Sequence, residues 1–427
     1  MKRKFLSILA TSITIGAVGF AQEINFSGEL NTMWGINTPG TDLAGNLAVG
    51  NTDFTGTLES YQGNSTLFIE GNVNYNALQN QINFDLGEAY IDYAESNWGF
   101  RIGNQKIVWG KSDGINITNS VFPEDSSSLF TDDSSLPVTA AKLSFSGDFF
   151  NIDALWIPFF KGTDLPLEED SPLRNAMIPS QVELPGIGNI PVQIDTLQTP
   201  EMALKNGEYG LKLSGYFSLC DVSLYGFYGW DKMPLMNYSL TFTNSPIPDA
   251  IKIDGEYSRL TMIGADAAFP IGATVLRLEG AYFPNRKMQA SAETILDGGE
   301  IGISQHQIMA LAGIDWMPSS WTITAQYYCD AVLNKSDKLE QKKAYTHGAT
   351  FSVSRTFLQD TLEFSLNGLV GLNNFDSALT FEEKYSLSDQ IKLSTGTYVF
   401  LSGPDGDGTY GKLKDLSTIY IKVQYSF

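Results

Sequence analysis

Histidine occurs twice in this 427-residue sequence, at His306 and His347, and cysteine twice, at Cys220 and Cys329. Nucleophilic catalysis needs a hydroxyl or thiol beside a base that a third group orients. Neither histidine has a serine or aspartate at a telling spacing: His306 sits between two glutamines, and His347 precedes Gly348. The pattern offers no catalytic residue, no histidine-built metal site and no cofactor, so an enzyme is not expected. Gly403-Pro404-Asp405-Gly406-Asp407-Gly408 has the start of an Asp/Gly calcium loop. The glutamate that completes an EF-hand is missing, and a tight polar hairpin loop accounts for the same residues. Charge is the larger chemical resource. With 48 acidic against 27 basic residues the formal net charge is −21. A phosphate backbone needs a basic footprint, so no nucleic-acid partner is expected.

The elements that would position these charges begin after a targeting segment. Lys2, Arg3 and Lys4 precede an apolar stretch from Phe5 to Val18, and Gly19-Phe20-Ala21 supplies small residues for a signal peptidase. Residues 1–21 therefore read as a signal peptide, with no cysteine to take a lipid anchor. After it, no stretch has some 18 consecutive apolar residues, as a membrane helix would need. The dominant signal is alternation with period two, in segments of about 9–13 residues, the length of a tilted membrane strand. In the last segment Ile419, Ile421, Val423, Tyr425 and Phe427 share one face, while Thr418, Tyr420, Lys422, Gln424 and Ser426 share the other. The first face suits lipid and the second a watery lumen.

Short connections (95–98, 146–148, 219–220, 270–272, 318–320, 357–360 and 388–389) alternate with mostly longer ones (110–137, 158–206, 232–255, 285–304, 332–344 and 402–416). Bacterial barrels keep short turns in the periplasm and long loops outside. Residues 22–427 then form an all-β transmembrane antiparallel barrel with long extracellular loops. Counting back from Phe427 gives eighteen strands, with 52–61 the weakest, or sixteen if one early pair is loop. The alternation breaks at Leu86-Gly87, where Ile82, Phe84 and Leu86 share parity with Glu88, Tyr90 and Asp92. A β-bulge there would reset the face. The topology puts Cys220 and Cys329 at opposite rims, so no disulfide is expected.

Glu88-Ala89-Tyr90-Ile91-Asp92-Tyr93, a tight turn, Phe100-Arg101-Ile102-Gly103-Asn104-Gln105 and then Trp109-Gly110-Lys111-Ser112-Asp113 resemble porin-like outer-membrane barrels. There an R-x-G-x-Q strand runs up into an inward-folded loop. The terminal Tyr425-Ser426-Phe427 resembles the C-terminal strand read by the barrel-assembly machinery. The resemblance implies outer-membrane lipid and that machinery as partners. A homo-oligomer is compatible with it, and no subunit interface is marked in the sequence. It also implies that 110–137 is an inward constriction loop carrying Asp113, Glu124, Asp125, Asp132 and Asp133. The facing wall would carry Arg101, Lys142, Lys212 and Arg277 with acidic Glu88, Asp92, Asp153, Asp266, Glu279 and Asp315, and Gln105 and Trp109 would join the pore lining. Opposed charges in a narrow aqueous pore select by charge and size. Ordinary solvated lumen pairs are the alternative for any one of them.

The expected function is passive diffusion of small hydrophilic solutes through an outer-membrane channel, because no plug, hatch or catalytic constellation is evident. Trp109, Phe122, Phe130, Trp156, Phe159 and Phe160 could instead form an aromatic slide for sugars, against a girdle and loop-packing role. The Pro-rich segment 158–206 would fold over the mouth or into the barrel. It motivates a second reading, a structural or adhesive surface barrel that binds partners through its loops. A third is an apolar-substrate transporter, which would need a lateral opening or a kinked strand.

Overall fold

The computed structural model describes residues 23–427 apart from 113, 131–132, 170, 185–186, 243–245 and 407. The expected signal peptide at 1–21, and Asp113, Asp132 and Asp407, lie outside the described residues.

Eighteen antiparallel strands form one closed sheet. The first, Glu23–Asn37, pairs with Leu47–Gln62 on one side and with the last, Thr418–Ser426, on the other. Closure follows from the lipid: hydrocarbon offers no partner for a bare sheet edge. The segment expected to be weakest is a full strand, Leu47–Gln62, bonded to both neighbours. Alternation assigns the faces. Ile419, Ile421, Val423 and Tyr425 are exposed on the outside, while Thr418 and Tyr420 are buried inward. Aromatic side chains cluster outward beside the short turns, among them Trp98, Phe217, Trp316, Trp321 and Phe427, where an interfacial girdle belongs.

Turns of two to four residues lie at the end that holds Glu23 and Phe427, and all the longer connections lie at the other, together with two four-residue turns at 77–80 and 372–375. The strand Gln81–Ala94 carries the anticipated bulge. Against Ser65–Asn76 its register slips between Ile69 and Gly71, so Gly87 and Glu88 together oppose Glu70. Ile82, Phe84 and Leu86 therefore point outward before the bulge and Ile91 after it.

Barrel height is uneven. Trp98–Gln105 and Phe150–Ile157 have 8 residues each, and Val138–Ser146 and Glu208–Tyr216 have 9. Elsewhere Leu47–Gln62 and Thr274–Gln289 have 16, and Glu23–Asn37 and Gly302–Trp316 have 15. Two outer connections are more than loops. Gln181–Leu184 and Gly188–Gln198 from one, with Leu235–Thr241 and Ala250–Glu256 from the next, make a separate four-stranded sheet. Its central pairing, Gly188–Gln198 with Ala250–Glu256, is parallel. A short helix, Pro172–Met177, precedes it, started by Pro172 and capped by Ser171, whose hydroxyl accepts from the Arg174 amide.

Candidate functional site in the barrel lumen

Chemistry in a barrel happens on its inner face, and the inner face here is divided between a packed half and an open one. After Gln105 the chain leaves the wall and turns inward. Gly110 makes that turn with φ +88°, and a Cβ there would collide with the Asn116 side-chain amide, so the position requires glycine. The segment then packs on the inner faces of the opposite wall. Trp109 is 4% exposed, with Phe122 and Phe227 edge-on to its ring and Tyr225 tilted against it. Ile117, Val121, Leu260, Met262 and Phe283 complete an apolar core inside the barrel.

Charged groups clamp the segment where it crosses. Lys111 Nζ lies 3.4 Å from Asp266 Oδ1, and the Tyr225 hydroxyl donates to the same carboxylate. The Gly110 N–H donates to that hydroxyl at 3.2 Å. Glu279 accepts from the Ser112 hydroxyl at 2.9 Å and from Thr118 through both its amide and its hydroxyl. Arg277 pairs with Asp315 and donates to the Lys111 carbonyl, while the Thr324 hydroxyl donates to Asp315 at 3.0 Å. Asp266, Glu279 and Asp315 are all buried. Four of the expected pore charges thus hold the inward segment in place instead of facing open solvent.

The remaining candidates lie lower or higher in the lumen. Arg101 pairs with Asp92 at 2.9 Å, its guanidinium 4.0 Å over the Tyr90 ring. Lys142, Asp153 and Lys212 surround a 280 Å³ cavity beneath Ile107 and Trp109, and Asp153 accepts from the Ser144 hydroxyl at 2.6 Å. Gln105 departs from the expectation of a pore-lining amide. It is fully buried, and its side chain donates to the Ala140 carbonyl at 3.0 Å. Glu124 is half-buried, and burial pushes its carboxyl up while the Asn119 side chain works against it. Asp125 accepts from the Ser127 amide and hydroxyl. Asp133 is held below the usual carboxylate range. Burial works against this, and the Lys106 ammonium at 2.8 Å and the Ser135 amide outweigh it.

The open half is a cavity of 2340 Å³ between the first four strands and the inner sides of 125–137 and 161–176. Ten carboxylates line it against three lysines, together with nine asparagines. Asn31, Asn51, Asp53, Glu70, Asn72, Asn74 and Asp85 come from adjacent strands at inner parity. Asn74 donates to Asp53, Thr55 to Asn72 at 2.8 Å, and Asn72 to Glu70 at 3.3 Å. Sequence reading passed over this wall because no single member suggests chemistry. The signal was present in the alternation Asn72-Val73-Asn74-Tyr75-Asn76. Of the aromatic residues considered for a slide, Trp109 and Phe122 are core, Phe160 packs on Tyr257, Trp156 faces outward, and Phe130 alone lines this cavity.

The family model described as "Protein of unknown function (DUF1302)" matches residues 44–367. No curated protein matches the sequence. Among solved structures, the chain is similar to OccK5 (OpdH) of Pseudomonas aeruginosa, with TM-score 0.52 and 10% identity over 95% of this chain and 97% of that one. It is similar to OccK2 (OpdF) of the same organism (0.51, 11%, 95% and 97%) and to OccAB2 of Acinetobacter baumannii (0.51, 11%, 95% and 98%). At such identities the likeness is one of fold.

Proposed function

The chain belongs to the DUF1302 protein family and is a porin-like β-barrel of the outer membrane, and from that premise we propose that it is a channel for the passive diffusion of small hydrophilic solutes. We infer further that it favours uncharged and cationic solutes over anions. The observation that carries both is the lumen cavity of 2340 Å³ with its ten carboxylates, three lysines and nine asparagines. Amides offer donors and acceptors to any hydroxylated solute. A cleft lined by one sign of charge between low-dielectric walls concentrates counter-ions and repels co-ions. In this reading 110–137 is the constriction loop, clamped through Lys111, Ser112 and Thr118, and 158–206 with its small sheet roofs the mouth. Residues 1–21 are removed on export, and the strand ending at Phe427 is what the barrel-assembly machinery reads.

The test is the purified protein in planar lipid bilayers. Stepwise conductance is expected, with a reversal potential in a potassium chloride gradient that reports a preference for potassium. Silence at every voltage and salt concentration would overturn the channel, and a chloride preference would overturn the charge selectivity.

A further inference from the structure

A closed barrel wall is bonded strand to strand, and among the described residues Gln81–Ala94 is left partly unbonded on one side. Gln81–Ala94 pairs with Ser65–Asn76 from Gln81 to Tyr93. On its other side it pairs with Trp98–Gln105 only from Ala89 to Ala94, because that neighbour is short and then turns into the lumen. Among the described residues, Gln81–Leu86 have no strand on that second side.

The gap is framed. At its lower edge the Asn104 side chain donates to the Gly87 carbonyl at 2.5 Å, and the Lys106 amide donates to Glu88 Oε1 at 2.7 Å. At its upper edge the Gln79 amide donates to Glu168. The far side is formed by 133–137 and 161–166, tied together through Glu124 with Ser135 and Asp125 with Asp164. Among the described residues, the bonds to this side are made at the two ends of the gap.

The lumen cavity reaches the frame. Successive side chains of a strand point to opposite faces. Asn83 and Asp85 point inward, and Ile82, Phe84 and Leu86 point outward with 61%, 77% and 57% of their surface exposed. All five line the same lumen cavity. The cavity therefore runs along the free edge of this strand. The cavity's two sides also differ in composition: the strand side carries most of the asparagines, and on the loop side Leu129, Leu136, Leu165 and Leu173 stand among Asp125, Asp133, Asp164 and Glu168.

We propose that this gap is a lateral window between the lumen and the outer leaflet, and that it passes an amphiphile with an aliphatic chain and an uncharged or cationic hydrogen-bonding head. The head is held on the asparagine and carboxylate wall. The chain lies along the loop-side leucines and leaves past Ile82, Phe84 and Leu86 into hydrocarbon, so no CH₂ group has to cross water, which would cost about 0.8 kcal/mol each. Six strand residues at about 3.3 Å each, tilted near 45°, give a window roughly 14 Å tall, tall enough for one chain. The proposal goes beyond passive diffusion along the barrel axis, and either can fail without the other.

Two variants made in a C220S/C329S background test it. In the first, Asp85→Cys carries a small nitroxide, with Asn31→Cys, on a strand bonded on both sides, as the control. The window requires that the label at 85 be relaxed by lipid-soluble oxygen as well as by an aqueous nickel chelate, and the label at 31 by the chelate alone. In the second, Phe84→Cys in proteoliposomes is blocked from the lipid side with a bulky maleimide. Transfer of a radiolabelled twelve-carbon monoacylglycerol into the membrane should fall about tenfold relative to the unblocked variant. A label at 85 blind to oxygen overturns the window. Oxygen contact with unchanged monoacylglycerol transfer overturns its transport role and leaves membrane lipid as the occupant.

Discussion

Thr118 presents both its backbone N–H and its hydroxyl to a single carboxylate oxygen of Glu279, at 2.5 and 3.0 Å. The other oxygen takes the Ser112 hydroxyl, so one buried side chain from the wall anchors two points of the inward segment. Hydrogen bonds to a charged group contribute about 1.5–3 kcal/mol each. Glu279→Ala should free the crossing between 112 and 118 while the Trp109 core still holds its entry. Single-channel recordings are expected to show larger and noisier openings, and a unitary conductance identical to the parent's would show that this crossing does not limit the pore.

Acid should weaken cation preference earlier than ordinary carboxylates would. Asp164 sits in the cavity wall with its carboxyl pushed above the usual range. Burial is the main cause, Lys161 opposes it, and Asp125 and Asp85 add to it. The folded protein therefore binds this proton more tightly than the unfolded chain. Its charged form costs stability at neutral pH, and that cost disappears as pH falls through the raised value. Reversal potentials measured from pH 7 downward should begin to shift toward zero above about pH 4, the ordinary aspartate region. In Asp164→Asn the early part of that shift should be gone.

Neutralising the open wall should act on selectivity alone. Asp53→Asn, Glu70→Gln and Asp85→Asn keep size and hydrogen-bonding capacity while removing three of the ten lining carboxylates. The triple variant is expected to keep the parent's unitary conductance within about twofold and to lose a large part of its potassium preference, since a field summed over many charges falls with each one removed. A reversal potential that does not move would assign selectivity to another level of the lumen.

Lys232 and Glu208 bind the roof to the wall. Nζ lies 2.7 Å from both carboxylate oxygens, and the two side chains are 2% and 0% exposed. Removing one member of a buried pair strands the other charge and typically costs about 3–5 kcal/mol. Lys232→Met should lower the temperature at which the folded band is lost in heat-modifiability gels, and Lys232→Met with Glu208→Leu should recover most of the loss. A double variant as weak as the single one would mean that the site depends on the ion pair itself.

Alternation in the sequence was enough to place the strands, because each lipid-facing residue at Ile419, Ile421 or Val423 is a local fact about one segment. It also located the bulge at Gly87-Glu88, where two residues in a row have to change sides. The clamp was half legible. Asp266, Arg277, Glu279 and Asp315 were recognisable as inner-face charges, but their partners Lys111, Ser112 and Thr118 depend on where a long loop crosses the lumen. No pairwise pattern in the sequence encodes that path. The outer sheet was missed for a related reason. Gly188–Gln198 and Ala250–Glu256 pair in parallel across two loops, and no hairpin turn joins them to announce it. The open wall was missed because its chemistry is collective, spread over asparagines that mean little singly.

The difference in strand length around the barrel has a mechanical consequence for the surrounding membrane. A bilayer meeting a wall of 8- and 9-residue strands beside Trp98–Gln105 and Phe150–Ile157, and of 15- and 16-residue strands at Thr274–Gln289 and Gly302–Trp316, does not keep one thickness. Where the apolar surface is short, the lipid compresses, at a cost of fractions of a kcal/mol for each ångström. The short strands begin next to Gln81–Ala94, where Ile82, Phe84 and Leu86 stand at a partly unbonded edge. Lipid compressed against those short strands would therefore lie beside the free edge of Gln81–Ala94, where the proposed window would open.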